Sequence, residues 1–173
     1  MNKKSSTKQR ILDASWQLFN EYGYTNTTTR QISKLAGVAT GTVFSHFPTK
    51  LDILKMAMHE QIEQVLVQAA QSEKLHTPRL RLRHYAKFLY EFYLNNREFS
   101  KELLSGIIWQ QAYFSEQLES FKHTLFAGQP YDVHKADIMM DCYFMTLLIG
   151  LNDETSNVDS LVRLLSNKLQ SIQ

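Results

Sequence analysis

GYTNTTTRQISKLAGVATGTVFSHFPTKLDIL, residues 23–54, is the stretch whose spacing decides the fold. Thr28 stands three residues before Gln31, a capping box in which each side chain can satisfy the other residue's backbone N–H, so a helix is expected from near Thr29. Ile32, Leu35 and Ala36 give that helix a buried stripe, and Gly37 ends it. A short helix should follow from near Thr40 to the stop at Pro48, with Val43, Phe44 and Phe47 turned inward. Its other side carries Thr40, Gly41, Thr42, Ser45 and His46, all small or polar. Thr49 and Asp52 repeat the capping spacing and predict a fourth helix from Lys50. The motif is helix, tight glycine turn, helix, then a longer rod.

The same periodicity extends in both directions. Ile11, Leu12, Ser15, Trp16, Leu18, Phe19 and Tyr22 recur at helical intervals before Gly23, giving a first helix with one buried stripe. Downstream, Leu54, Met58, Ile62, Val65 and Ala69 keep 3- and 4-residue steps to about Gln71. Beyond the break at His76 to Pro78, Leu82, Tyr85, Phe88, Leu89 and Phe92 predict a fifth helix. Less regular helices are expected over 99–104 and 107–126, then 133–149 and 158–172 after the loop at Gly128 and Pro130. The expectation is all-α, nine or ten helices, divided as a head over residues 1–50 and a body over residues 51–173. Composition agrees: 6 glycines and 3 prolines in 173 residues are too few for a turn-rich β sandwich, and 43% hydrophobic residues are too many for disorder.

The formal charge of +2 taken alone argues against a polyanionic partner, but its distribution does not. Residues 1–50 hold 7 basic and 2 acidic side chains, a net +5, and residues 51–173 hold 12 basic and 15 acidic, a net −3. A basic head on an acidic body is the asymmetry expected when one end meets nucleic acid. The lone Cys142 excludes an internal disulfide and CxxC chemistry. Met1 to Arg10 is basic and polar with no apolar run behind it, and the longest apolar run, Cys142 to Leu151, is about half a membrane span. A cytoplasmic protein is expected.

Within the head, Thr28 and Thr29 stand where a helix N-terminus offers hydroxyls and backbone N–H groups to a phosphate. Arg30 has the reach for a phosphate or a guanine edge. Lys50 puts a cation in a first helical turn, against the helix dipole, a placement that an external anion such as a DNA phosphate would explain.

The ordered fragments Gly-Tyr, Thr-Thr-x-Arg-x-Ile, Ala-Gly-Val, Gly-Thr-Val-Phe, His-Phe and Lys-x-x-x-Leu between Gly23 and Leu54 resemble the DNA-binding domain of the tetracycline-repressor (TetR) family. That resemblance implies an all-helical homodimer acting on double-stranded DNA, a divergent C-terminal domain with a ligand cavity, and a four-helix interface built from the last two helices of each chain. By position it sets Thr28, Thr29, Phe44, His46 and Lys50 against phosphates, and Arg30, Thr40, Gly41, Thr42 and Ser45 near base edges. Two residues depart from the family pattern. Ala39 stands where serine commonly caps the recognition helix, so either Thr40 takes over or phosphate or water caps that end. Phe44 stands at a commonly tyrosine position and has no hydroxyl to offer a phosphate, so it is left out of the DNA-contact set.

In the body, Tyr85, Phe88, Trp109, Tyr113 and Tyr143 are candidates to line a pocket for a small apolar or aromatic effector. His134, Asp137 and Asp141 share one helical face, which is read as a solvated polar stripe in preference to a metal site. No Ser-His-Asp order, glycine-rich phosphate loop or HExxH string is present, so no enzyme and no cofactor is expected. The expected function is a ligand-released repressor on a near-palindromic operator. The alternatives are a constitutive or architectural DNA-binding protein, and a small-molecule-binding protein with a vestigial head.

Overall fold

The computed structural model describes residues 6–108 and 114–171. Among the described residues there are nine helices and no strands: α1 (Thr7–Tyr22), α2 (Thr29–Ala36), α3 (Thr40–His46), α4 (Lys50–Ser72), α5 (Pro78–Asn95), α6 (Arg97–Ile108), α7 (Ser115–Leu125), α8 (Val133–Asn152) and α9 (Val158–Gln170). Both expected capping boxes form, Thr28 with Gln31 on α2 and Thr49 with Asp52 on α4. Gly37 ends α2 at φ 66°, a left-handed conformation that a Cβ disfavours.

α1, α2 and α3 pack together as the head, and α4 packs on α1 before running into the body. Ile11, Phe19, Ile32, Val43, Ile53, Leu54 and Met58 are almost wholly buried, so the first turns of α4 complete the core that α1 to α3 begin. In the body α5 is central, packing on α4, α8 and α9, while α6 leans on α4 and α8.

Four expectations change. Tyr22 at the end of α1 and Leu35 and Phe44 in α2 and α3 are 49%, 46% and 48% exposed, not buried. In α2 the inner face is made by Ile32, Ser33 and Ala36, and in seven-residue α3 the inner positions go to Val43, with Phe47 buried just beyond its end. A four-residue step from Val43 to Phe47 leaves Phe44 about 100° around the helix from Val43 and outside that face. The expected single helix over 107–126 is instead the end of α6 and all of α7, with residues 109–113 between them outside the described set.

α8 and α9 meet closely at Gly150, where a Cβ would fall 2.3 Å from Leu161 Cδ1 and 3.1 Å from its Cγ. Leu161 is buried and has little room to turn away. Gly150→Ala should therefore cost about 1–3 kcal/mol of stability by overpacking, read by denaturant unfolding. Because that cost is a clash with one side chain, Leu161→Ala should be less destabilising in the Gly150→Ala background than alone.

Candidate nucleic-acid interface and body cavity

The exposed side of the helix-turn-helix brings Thr28, Arg30, Gly41, Ser45 and His46 to the surface, with Thr29, Thr40, Thr42 and Lys50 half-buried among them. Several of their hydroxyls already have work within the head. Thr28 Oγ1 accepts from the Gln31 N–H at 3.2 Å and lies 2.7 Å from Gln31 Oε1. Ser45 Oγ donates to the Thr42 carbonyl at 2.8 Å. Thr40 Oγ1 lies 3.0 Å from Ser33 Oγ, which also donates to the Arg30 carbonyl at 2.9 Å. That pair ties α2 to α3 and turns the Thr40 hydroxyl toward the motif's interior. Thr40 does not cap α3: Ala39 is the N-cap and no side chain bonds that end.

Lys50 departs most from its expected environment. Its ammonium donates to the carbonyls of Tyr24 at 2.7 Å and Thr27 at 2.9 Å, and stands 4.3 Å from the Tyr24 ring centroid. The cation in the first turn of α4 is thus balanced by carbonyl dipoles of the α1–α2 loop, and no external anion is needed to explain it. Burial lowers its pKa, partly offset by Glu102 and Glu98.

Glu98, near the start of α6, holds the same loop from the other side. Its carboxylate accepts from the Thr25 N–H at 3.0 Å and the Thr25 hydroxyl at 3.1 Å. The preceding residue, Arg97, donates to the carbonyls of Gly150 at 2.7 Å, Leu151 at 3.3 Å and Ser156 at 3.2 Å, at the end of α8 and the α8–α9 turn. Two adjacent side chains thereby connect the head loop and the α8–α9 turn to α6. Periodicity could not reveal them, because Glu98 and Thr25 are 73 positions apart.

Within the body an inner chamber of about 110 Å³ lies between α4, α5, α6, α7 and α8, walled by Ile62, Leu103, Leu118, Tyr143 and Phe144 among others. It shares His59, Glu63, Leu66, Gln117 and Phe121 with an outer cleft of about 540 Å³ between α4, α5 and α7. It shares Leu104, Leu118, Met140 and Phe144 with a second cleft of about 520 Å³ between α6, α7 and α8. Of the expected lining residues, Tyr143 faces the chamber and Tyr85 the outer cleft. Phe88 is not on either wall and rests against His84, ring centroids 5.2 Å apart. Trp109 and Tyr113 lie outside the described residues. His59, Glu63, Tyr93 and Phe121, which line this space, were missed, since core and cavity aromatics share the same helical spacing.

The Tyr143 hydroxyl is buried and has no hydrogen-bond partner. Burial raises its pKa well above the ordinary phenol value, and the nearby Tyr93 and Tyr90 phenols reinforce the shift, so it stays protonated. The Tyr93 phenol stands close enough to act on the ionisation of Tyr143, but the Tyr143 hydroxyl meets no partner in hydrogen-bond geometry. Its ring stacks on Tyr90 at 5.2 Å, and the Tyr90 hydroxyl donates to the Tyr143 carbonyl at 3.0 Å. Among the described residues no three His, Cys, Asp or Glu side chains converge as a metal would require. Asp137, on the expected polar stripe, instead accepts from Lys122 at 2.7 Å. No described helix is long and apolar enough to cross a membrane.

A capped helix-turn-helix on a basic head, carried by a helical body, defines a DNA-binding regulator class. Residues 11–57 match the family model for bacterial regulatory proteins of the tetR family. It is 25% identical over 168 residues to the transcriptional repressor KstR of Mycobacterium tuberculosis, covering 91% of this chain and 76% of that one. Against SrpR of Pseudomonas putida it is 40% identical over 52 residues, 30% of this chain and 24% of that regulator. The matched segment thus spans less than two thirds of SrpR, and likewise only 30% of KstR from Rhodococcus jostii. In fold it resembles a TetR regulator from Rhodococcus sp. RHA1, with a TM-score of 0.74 at 18% identity over 96% of this chain and 98% of that one. It also resembles Thermus thermophilus FadR in complex with lauroyl-CoA, with a TM-score of 0.65 at 21% identity over 94% of this chain and 91% of that one.

Glu98→Ala removes two hydrogen bonds to the α1–α2 loop at a solvent-exposed site, a loss of about 0.5–1.5 kcal/mol. Amide hydrogen exchange should accelerate over residues 23–27 and stay unchanged at the α8–α9 turn; Arg97→Ala should show the opposite pattern.

Proposed function

We propose that this chain is a cytoplasmic, sequence-specific transcriptional regulator: a homodimeric repressor of a near-palindromic operator, released by a small molecule bound in the body. The observation that carries the reading is the short, largely polar surface of α3 in a helix-turn-helix set between capping boxes on α2 and α4, in a head of net charge +5. Thr29 and His46 meet phosphates beside the start of α2 and the end of α3, and Thr28 does so through the backbone as well as a hydroxyl shared with Gln31. Arg30, Thr42 and Ser45 read base edges, Gly41 permits close approach, and Thr40 contributes mainly its methyl group. Exposed Phe44 supplies an apolar surface suited to a thymine methyl, in place of a tyrosine hydroxyl. Lys50 adds positive potential while holding the loop that orients α2.

Dimerisation follows from α8, where Ile138, Met145 and Ile149 are 46%, 54% and 42% exposed. Their spacings of 7 and 4 residues put them on one stripe, which a second copy of α8 and α9 would cover. Two linked heads then reach half-sites about one helical turn apart. A ligand between α4, α5, α6 and α7 favours one arrangement of α4 and α6, and those two helices hold the head loop through Lys50 and Glu98. Lauroyl-CoA, the ligand of the Thermus protein, is a poor candidate here: Glu63 and Glu116 stand at one opening and Glu119, Asp137 and Asp141 at the other, facing any polyphosphate head group.

Selection of bound DNA from a random pool tests the reading: a palindromic consensus is expected, and its absence at low salt would overturn the proposal. Arg30→Ala should cost about 1–3 kcal/mol on the selected site and relax preference at one position in each half. Met145→Asp should give a folded monomer by sedimentation, with operator affinity falling about 100-fold or more as the two half-site contacts become unlinked.

A further inference from the structure

The outer cleft of the body has a chemistry of its own. Its described charged lining residues are Glu63 from α4 and Glu116 from α7, with His59 the one basic side chain beside them. Neither carboxylate has a hydrogen-bond or ion-pair partner among the described residues. Tyr85 and Phe121, edge to face with ring centroids 5.5 Å apart, are on the wall of the same cleft, and Glu63 and Phe121 also line the chamber.

Two exposed carboxylates on a cleft whose wall also holds the half-buried Phe121 ring form a pairing that recognises an ammonium group: Coulomb attraction from the rim and the negative ring face from the side. The apolar chamber behind them would take a hydrocarbon body. The chamber carries a separate mark of a ligand. Buried polar atoms in a finished core are almost always bonded, yet the Tyr143 hydroxyl on this wall is buried and unpaired. A space that admits the polar atom of a guest, or a water carried with it, accounts for a donor left open.

We propose that the effector of this protein is a lipophilic cation, an alkyl or aryl ammonium whose charged head sits between Glu63 and Glu116 and whose apolar body enters the chamber lined by Tyr143. This rests on the reading of the body as an effector site, and names the class of molecule that site takes. The cleft on the far side of the chamber is also acidic: Lys122 there is held by Glu119 and Asp137, leaving Asp141 unneutralised.

The test uses three probes of one chain length on the full protein, below the concentrations at which they form micelles: decyltrimethylammonium, decanol and decanoate. Binding is followed by calorimetry, and release of the selected operator by electrophoretic mobility shift. The ammonium should bind at least tenfold more tightly than the alcohol and more tightly still than the carboxylate. Raised salt should shrink the margin, and the double variant Glu63→Gln/Glu116→Gln should bring ammonium and alcohol within about twofold. Both substitutions lie at exposed positions, so folding is not at issue, and retained binding of decanol by the variant verifies an intact chamber. Equal or tighter binding of decanol or decanoate overturns the cation assignment while leaving the effector site standing. Binding of none of the three overturns both. Tight ammonium binding without release of DNA upholds the ligand class and overturns ligand-controlled release.

Discussion

The ammonium of Lys50 and the carbonyls of Tyr24 and Thr27 form the contact on which the geometry of the head depends. The α1–α2 loop satisfies its own carbonyl groups only in part, the Thr27 N–H donating to the Tyr24 carbonyl at 3.3 Å and the Thr27 hydroxyl to the Gly23 carbonyl at 2.8 Å. A single three-donor cation at the start of α4 gathers those carbonyls and packs its charge over the Tyr24 ring. A charge in the first helical turn is unfavourable in isolation, so its position is stable only with the loop closed over it. Closing the loop and seating α4 are therefore one event.

Around this contact the aromatic residues fuse head to body. Trp16 lies 6.4 Å from Phe92 and 5.7 Å from Phe99, and Phe19 lies 6.0 Å from Phe99 and 5.4 Å from Tyr24. One cluster thus spans α1, the α1–α2 loop, α5 and α6. Phe99 immediately follows Glu98, so α6 presents to the head both a hydrogen-bonding carboxylate and an anchoring ring. The apolar cluster supplies most of the adhesion by burial. The Lys50 and Glu98 contacts set which of the available packings is adopted, since polar bonds are more exacting in direction than in strength.

Much of this was legible in the sequence because it is local. Capping boxes depend on residues three apart, helix faces on steps of three and four, and the left-handed turn on Gly37, so α1 to α5 could be read directly. Leu35 and Phe44 were misjudged because α2 and α3 are only eight and seven residues long. An error of one residue, about 100° around a short helix, moves a whole apolar side chain across the boundary between core and solvent. Lys50 was singled out correctly as a cation in an unusual place, but its partners, Tyr24 and Thr27, become neighbours only after α1 to α3 have folded. The body cavity was least legible. Tyr143 and Phe88 have the same composition and spacing signature, and only the tertiary packing separates one that faces an interior space from one that rests on His84.

The two helices that hold the head loop are also the two that line the chamber from the head side. α4 carries Lys50 in its first turn and Ile62 and Glu63 on the cavity wall, a separation of about 20 Å along one helix at 1.5 Å per residue. α6 carries Glu98 near its start and Leu103 and Leu104 on the same wall. A guest that widens the chamber must therefore displace at least one of these helices relative to the other, because close-packed interiors do not absorb added volume by uniform compression. The loop, bonded to both, cannot follow two diverging helices without surrendering either the Lys50 or the Glu98 contact. On the proposed function, losing either bond would take from α2 a support that fixes the recognition helix, and the loop would carry a change in the cavity to the DNA-facing surface.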